Sequence, residues 1–259
     1  MRDGVIYVAT GAGYRALAVQ SARSLKAWNP DLPVDLFTDA PEAEGLGIFD
    51  AVHPVPRDHP RVKLWCFAQS RFERTLFLDS DTLVLAPLGG LFPIADRFDL
   101  AMCHDVRRRS ALVQEGGGVV TPEAFPQLNS GVMLYRKSPE ALAFFENWRA
   151  RFEALGAVRD QVPLKDLLWE SDLRFYVLPP EYNLRRVTML DAWEPLDALP
   201  AIIHSHRLLQ HLRGHSERIT SVARLLEAER AALAQEWAAV GAEPDPEDPV
   251  ARFRAVRPG

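Results

Sequence analysis

Residues 74–84 have the sequence Arg-Thr-Leu-Phe-Leu-Asp-Ser-Asp-Thr-Leu-Val, in which an apolar run is followed at once by two acids. The apolar run at 75–78 predicts a short buried strand. This strand delivers the carboxylates of Asp79 and Asp81 to its carboxyl end, where ligands bind in open α/β sheets. Paired carboxylates suit a hard divalent cation that also holds phosphate oxygens. The stretch therefore predicts a metal site, and a strand-end turn with aspartate caps is the alternative.

Strand-like and helix-like patterns alternate before and after this stretch. Such alternation favours βαβ units, so we expect an α/β fold with a mixed, mostly parallel sheet flanked by helices. The predicted strands are 4–10, 33–38, 51–55, 75–78, 99–103, 130–135, 174–178 and 201–204. The predicted helices are 14–28, 61–72, 139–155, 160–169 and 216–240.

Two segments lack a clear period. Residues 107–126 contain three consecutive arginines and three consecutive glycines, which predicts a long loop of the kind that is usually functional. The tail from residue 243 is rich in proline and acidic residues and is expected to be poorly ordered. We therefore expect one compact domain over 1–215, followed over 216–259 by an amphipathic helix and the acidic tail.

Composition limits the function classes. The chain of 259 residues has a net charge of −5, so no chain-wide basic field for nucleic acid is expected. Its two cysteines, Cys66 and Cys103, are too few for a disulfide framework and are predicted core residues. The sequence contains no run of about 18 apolar residues and no signal-peptide pattern. We expect no transmembrane segment and a cytoplasmic location, with peripheral membrane attachment as the alternative.

The acidic pair and its surroundings resemble a known enzyme family. Phe77-Leu78-Asp79-Ser80-Asp81 resembles the Asp-x-Asp motif of GT-A glycosyltransferases, and the wider pattern resembles the glycogenin and bacterial lipooligosaccharide galactosyltransferase family. The features occur in the family's order over roughly residues 4–204. They are Val8-Ala9-Thr10 with Tyr14, Lys63 sixteen positions before Asp79, the acidic pair itself, Asn129-Ser130-Gly131-Val132, and Asp160-Gln161.

The resemblance implies a GT-A type, Rossmann-like fold and a glycosyltransferase activity. The donor would be a nucleotide-diphosphate sugar, with a UDP-sugar favoured, and the acceptor a glycan, a lipid-linked sugar or a small molecule. A diphosphate leaving group needs a Lewis acid. The implied ion is Mn²⁺ or Mg²⁺, held by Asp79, Asp81 and a histidine near the carboxyl terminus. His204 is the first choice for that histidine and His206 the second.

The resemblance also implies roles for individual donor-site residues. Catalysis is assigned to Gln161, Asp160 and Asn129, with Gln161 near the anomeric carbon. Each of several residues has a purely structural alternative: a core aromatic for Tyr14, a solvated lysine for Lys63, a turn residue for Asn129 and a helix-start acid for Asp160. The predicted donor-binding set is Thr10, Gly11, Tyr14, Asp39, Lys63, Asp79, Ser80, Asp81, Asn129, Ser130, Gly131, Asp160 and Arg213.

The chain departs from the family pattern after residue 204. The family's Lys-Pro-Trp stretch is missing, and Arg213 is the candidate to replace its diphosphate lysine, while His211 and His215 are more typical of core or surface histidines. No residue stands out as the general base that inversion requires. The unassigned candidates are Asp105, Glu115 and Asp191, and retention of configuration is favoured. Nothing in the sequence indicates an oligomeric state.

Three other functions are open from the sequence. A haloacid-dehalogenase-like phosphatase would need Asp-x-Asp-x-Thr after its first strand, whereas Thr82 comes one residue early and after the fourth strand. A nucleotidyltransferase would show a glycine-rich basic signature, of which residues 11–15 (Gly-Ala-Gly-Tyr-Arg) are a faint version. A non-catalytic sugar-nucleotide-binding protein would bind a donor without hydrolysing it.

Overall fold

The structure is a computed structural model that describes residues 2–106, 119–241, 247–248, 250–251 and 253. It divides into two compact units. The sheet unit comprises Met1–Arg185 and Ala198–His206, and the helical unit comprises Arg186–Asp197 and Arg207–Gly259. The division into domains at residues 215 and 216 stays a prediction.

Nine strands are present in the described residues, seven of them in one central sheet. They are β1 (Asp3–Val8), β2 (Val34–Thr38), β3 (Ala51–Pro54), β4 (Arg74–Leu78), β5 (Thr82–Val84), β6 (Leu100–His104), β7 (Leu128–Arg136), β8 (Phe175–Val177) and β9 (Ile202–His204). The central order is β3-β2-β1-β4-β7-β6-β8, and β5 pairs with β9 separately. Among the described strands of the central sheet, β7 alone runs antiparallel to its neighbours, which are β4 and β6. The predicted mixed, mostly parallel sheet is confirmed.

Helices cover the sheet and form the helical unit. They are α1 (Ala12–Trp28), α2 (Lys63–Cys66), α3 (Pro139–Leu155), α4 (Gln161–Glu170) and α5 (Val222–Val240). Short 3₁₀ helices are Phe67–Gln69, Phe92–Asp96, Pro180–Tyr182, Val187–Ala192 and His206–Arg213. Ser138 caps α3 by accepting from the amide of Ala141, and Ser221 caps α5 in the same way through Arg224. No helix among the described residues is long and apolar enough to cross a membrane.

Two helix predictions need correction. The helix expected over 61–72 is a single α-turn followed by the 3₁₀ turn Phe67–Gln69. Phe67 and Phe72 are both buried. In a continuous α-helix, residues five positions apart would point about 140° away from each other. The helix therefore ends between them, so that both side chains can face the core. The helix expected from residue 216 begins at Val222, because Ser221 supplies its N-cap.

The core of the sheet unit lies on both faces of the central sheet. Along β1, Val5 and Tyr7 pack into one apolar cluster, whereas Ile6 packs into the other. Strands buried on both faces appear in sequence as continuous apolar runs, which explains why they were predicted. The antiparallel pairing of β4 with β7 places the first residues of β7 beside the carboxyl end of β4.

Candidate active site

Two acids and one histidine converge at the carboxyl end of β4. Asp79 and Asp81 flank the turn into β5, and the pairing of Thr82 with His204 brings the imidazole from β9. His204 Nε2 lies 3.3 Å from Asp81 Oδ1 and 3.9 Å from Asp79 Oδ2. One ligand atom from each residue fits within 4.8 Å of the others. Two carboxylates and an imidazole are a donor set that can hold a divalent metal ion.

The backbone of Gly131 makes room for this cluster. Its carbonyl oxygen accepts the amide of Asp79 at 2.8 Å, which extends the β4–β7 pairing into the turn. A Cβ at this position would collide with the imidazole ring of His204 and come within 2.8 Å of Asp79 Oδ2. The glycine is therefore required for the close approach of the three side chains.

A hydrogen-bonded amide pair orients the imidazole. Asn183 Oδ1 lies 3.0 Å from His204 Nδ1, and Asn183 Nδ2 donates to Asn129 Oδ1 at 3.0 Å. The amide oxygen of Asn183 therefore accepts from Nδ1–H, and this hydrogen bond aims Nε2 at the carboxylates. No motif or spacing in the sequence marks Asn183, because its role depends on its position beside β9.

A second hydrogen-bonded group lies next to this pair. Asp105, which follows β6, is 6% exposed, and its Oδ2 accepts Asn129 Nδ2 at 2.9 Å and Gln161 Nε2 at 3.1 Å. Gln161 Nε2 also donates to the carbonyl oxygen of Leu128 at 3.1 Å. The structure thus brings two predicted catalytic residues, Asn129 and Gln161, to one candidate base.

Lys63 is the central cation of the site. Its Nζ lies 3.2 Å from Asp160 Oδ2, 3.4 Å from Asp79 Oδ1 and 3.1 Å from Ser130 Oγ. Ser130 Oγ donates to Asp160 Oδ2 at 2.7 Å. The Lys63 side chain is 11% exposed, so the alternative of a solvated lysine is wrong.

Lys63 and Asp160 stabilise each other's charged forms. Burial lowers the pKa of Lys63, but the charges of Asp160 and Asp79 raise it by more, so the pKa ends above its ordinary value. Burial likewise raises the pKa of Asp160, but Lys63 and Arg61 lower it below its usual range. Lys63 is therefore an ammonium and Asp160 a carboxylate at neutral pH.

The predicted nucleobase residues lie at the ends of β1 and β2. Gly11, with φ of 80°, donates its amide to both carboxylate oxygens of Asp39 at 3.0 Å. Arg15 Nη1 lies 2.5 Å from Asp39 Oδ1. Thr10 is half-buried, and Tyr14 is 44% exposed at the start of α1. The role of Tyr14, in base stacking or in packing on the core, stays a prediction.

A chain of three hydrogen-bonded hydroxyl groups supports the turn that carries Asp79 and Asp81. Thr82 Oγ1 donates to the carbonyl oxygen of Asp79, so Ser21 Oγ must donate to Thr82 at 2.7 Å and the Tyr7 hydroxyl to Ser21 at 2.9 Å. Burial raises the pKa of the Tyr7 hydroxyl, which stays protonated. Ser80 lies between the acids and is buried. Sequence reasoning missed Tyr7 and Ser21 because nothing near them in the chain points to the turn.

The other predicted residues belong to other parts of the chain. The helical unit contains Arg213, His211, His215 and Asp191, and Asp191 pairs there with Arg230 at 3.0 Å. His206 begins a 3₁₀ helix after β9 has ended. Glu115 and residues 107–118 of the predicted loop lie outside the described residues, as do residues 243–246, 249, 252 and 254–259 of the acidic tail.

Comparison with known proteins found similar structures but no similar sequences. No protein-family model matches the chain, and no curated protein matches it. Solved glycosyltransferases do match. The chain has the fold of these glycosyltransferases. The GT-A fold expected from the sequence is thereby confirmed.

Three of these GT-A structures illustrate the extent of the likeness. Glycosyltransferase GlyE of Streptococcus pneumoniae TIGR4 has 19% identity and a TM-score of 0.55 over 78% of this chain and 54% of its own. The galactosyltransferase LgtC, solved with donor and acceptor sugar analogues, has 17% identity and a TM-score of 0.52 over 79% of this chain and 87% of its own. Mouse xyloside xylosyltransferase 1 has 16% identity and a TM-score of 0.51 over 79% of this chain and 98% of its own. This chain thus spans about half the length of the GlyE structure.

Proposed function

We propose that this protein is a metal-dependent glycosyltransferase that moves a sugar from a nucleotide-diphosphate sugar, in the first place a UDP-sugar, to a hydroxyl group of an acceptor. The observation that carries the proposal is the cluster of Asp79, Asp81 and His204 at the carboxyl edge of a GT-A sheet. Such an edge is where α/β sheets bind their ligands.

Asp79, Asp81 and His204 would hold Mn²⁺ or Mg²⁺. The residues fit such an ion, since Gly131 opens the space between them and Asn183 directs Nε2 towards the carboxylates. When bound, the ion supplies Lewis-acid stabilisation of the diphosphate leaving group. The imidazole favours Mn²⁺ over Mg²⁺, which prefers an all-oxygen shell.

The residues beside the metal cluster would bind the transferred sugar. The Asp160 carboxylate accepts hydrogen bonds from sugar hydroxyls, and Lys63 holds it in place at 3.2 Å. The amides of Asn129 and Gln161 both donate to Asp105, which fixes their orientation towards the sugar. Gly11, Tyr14 and Asp39 would bind the nucleobase and ribose, with the exposed Tyr14 ring available for stacking.

We favour transfer with retention of configuration. Oδ2 of Asp105, the candidate base, already accepts hydrogen bonds from the amides of Asn129 and Gln161. In this reaction the bond between the anomeric carbon and the diphosphate oxygen breaks, and the acceptor oxygen bonds to the same face of that carbon. The acceptor's proton passes to the departing diphosphate, and Gln161 lies beside the developing positive charge.

The other functions fit the site less well. A phosphatase that used Thr82 would need its hydroxyl free, but that hydroxyl donates to the carbonyl oxygen of Asp79. A non-catalytic sugar-nucleotide-binding protein would use the same residues without turnover. The acceptor is a glycan, a lipid-linked sugar or a small molecule.

A thermal-shift panel tests the proposal. UDP-galactose, UDP-glucose, UDP-xylose, UDP, GDP and ADP are each combined with Mn²⁺, Mg²⁺ or EDTA, because a ligand of the native state raises its melting temperature by mass action. We expect a metal-dependent rise with one nucleotide family and its loss in Asp79→Asn and Asp81→Asn. Asp191→Asn, in the helical unit, is the matched control and should keep the rise.

Donor hydrolysis separates an enzyme from a binding protein. Release of free sugar from the stabilising donor, followed by mass spectrometry, is expected for the wild-type protein and not for Asp81→Asn. A folded protein that shows no shift with any nucleotide would contradict the proposal. A shift without hydrolysis, and without transfer to any acceptor in a glycan array, would favour the non-catalytic alternative.

A further inference from the structure

Arg185 lies at the edge of the metal cluster, beside β9. The backbone of Leu184 bridges to Ile203 in a parallel arrangement. The amide of Leu184 donates to the carbonyl oxygen of Ile202 at 2.8 Å, and the amide of His204 donates to that of Leu184 at 3.2 Å. Residues 183–185 therefore continue the small sheet of β5 and β9 on its open side.

The pairing determines which way the Arg185 side chain points. Side chains alternate along an extended segment, so Asn183 and Arg185 share one face and Leu184 takes the other. Leu184 is 1% exposed and packs into the interior. Asn183 contacts Nδ1 of His204 at 3.0 Å. Arg185, which pairs laterally with His204, is thus on the face that carries the metal cluster.

The surroundings of Arg185 on this face are acidic. His204, its lateral neighbour, lies 3.3 Å from Asp81 Oδ1 and 3.9 Å from Asp79 Oδ2. Across the part of the chain that the structure describes, the Arg185 guanidinium forms no salt bridge with either acid.

The Nε atom of Arg185 is buried and has no hydrogen-bond partner among the described residues. By contrast, Lys63 and Arg61 both pair with Asp160. A buried guanidinium N–H without an acceptor costs free energy, so an acceptor from outside the chain would stabilise this arrangement.

We propose that Arg185 binds the diphosphate of the nucleotide sugar, in the role that the sequence assigned to Arg213. The inference rests on the proposed function. A guanidinium presents its donors in a fork that matches two phosphate oxygens, and its charge is permanent. Held on the face that carries the metal cluster, it would offset the negative charge that develops on the diphosphate when the bond to the anomeric carbon breaks.

Calorimetric titration of UDP and UMP in the presence of Mn²⁺ tests this role. Arg185→Ala and Arg185→Gln are compared with Arg186→Ala, which removes the same charge at the next, exposed position, and with Arg213→Ala. We expect both Arg185 variants to weaken UDP binding by about tenfold or more and UMP binding by less. Arg186→Ala and Arg213→Ala should each stay within about twofold of wild type, and Mn²⁺ binding measured alone should be unchanged in all four.

The outcomes distinguish this inference from the proposed function. Wild-type UDP affinity in both Arg185 variants, while Asp81→Asn abolishes binding, would overturn the role of Arg185 and leave the glycosyltransferase proposal standing. Loss of UDP binding in Arg213→Ala but not in the Arg185 variants would return the role to Arg213. A wild-type protein that binds no nucleoside diphosphate would overturn both. Because Arg185→Gln keeps the bulk of the side chain, loss of affinity in both variants, with unchanged melting temperatures, excludes a folding defect.

Discussion

Thr82 Oγ1 donates a hydrogen bond to the backbone carbonyl oxygen of Asp79 at 2.8 Å, and so closes the turn that presents both acids. The hydroxyls of Ser21 and Tyr7 extend this hydrogen bond through the interior. The positions of the two carboxylates thus depend on α1 and β1 as well as on the strand that precedes them.

Replacement of Thr82 by valine should loosen the acidic turn. The variant leaves the Asp79 carbonyl and the Ser21 hydroxyl without their partner, which should lower the free energy of unfolding by about 1–3 kcal/mol. It should also weaken Mn²⁺ binding. Urea denaturation and metal titration measure the two effects. Thr82→Ser restores the hydroxyl and should recover metal affinity. Equal metal affinity in Thr82→Val and wild type would show that the turn needs no such support.

Replacement of Gly131 by alanine should disrupt the metal cluster. The new Cβ meets the His204 ring and the Asp79 carboxylate, so the two ligands must move apart and metal-dependent stabilisation by UDP should disappear. Gly89→Ala is the matched control, because its Cβ meets nothing within 4 Å. A thermal-shift assay with and without EDTA compares the two. Retention of the metal-dependent shift in Gly131→Ala would contradict the proposed site.

Replacement of Asn183 by alanine should weaken metal binding through the orientation of His204. The variant removes the acceptor of His204 Nδ1, and loss of such a partner typically costs about 10–100-fold in metal affinity. Direct Mn²⁺ titration is the measurement, and Asn147→Ala on the exposed side of α3 serves as control. Asn183→Asp keeps an acceptor oxygen and should bind metal more tightly than Asn183→Ala. The reverse order of the two variants would refute the assigned role.

Replacement of Asp160 by asparagine should destabilise the protein in a pH-dependent manner. The change leaves the buried Lys63 without its nearest carboxylate, so stability at pH 7 should fall by about 3–5 kcal/mol. The folded pKa of Asp160 lies below the ordinary value of 3.8. Its contribution is therefore complete above that value and is lost as the pH falls through the folded pKa.

The difference in stability between wild type and Asp160→Asn should accordingly shrink as the pH falls from 5 towards 3. Urea denaturation at a series of pH values measures it. Asp31→Asn, at an exposed position, should show little difference at any pH. A difference that stays constant from pH 7 to pH 3 would mean that the carboxylate of Asp160 does not stabilise the fold through its charge.

The sequence predicted those parts of the site whose signal is local. The acids after β4 follow a continuous apolar run, which marks a strand buried on both faces. Asn129 and Asp160 were found through motifs that lie within a few residues. The choice of His204 over His206 is explained by the end of β9, since His206 already lies in a 3₁₀ helix.

The residues that sequence reasoning missed depend on pairing between distant segments. Asn183 and Arg185 act only because their backbone lies beside β9, an arrangement that no local period reveals. The three-residue strand β5 is too short to show an alternation of its own. The sequence patterns therefore did not show which distant segments pair with each other.

The pairing of β5 with β9 has a consequence for how the protein is made. Chains leave the ribosome amino terminus first, and β1 to β4 with both acids emerge long before the strand that carries His204. A nascent chain that ends before residue 202 would hold two carboxylates without the imidazole. The proposed metal site is thus complete only late in synthesis.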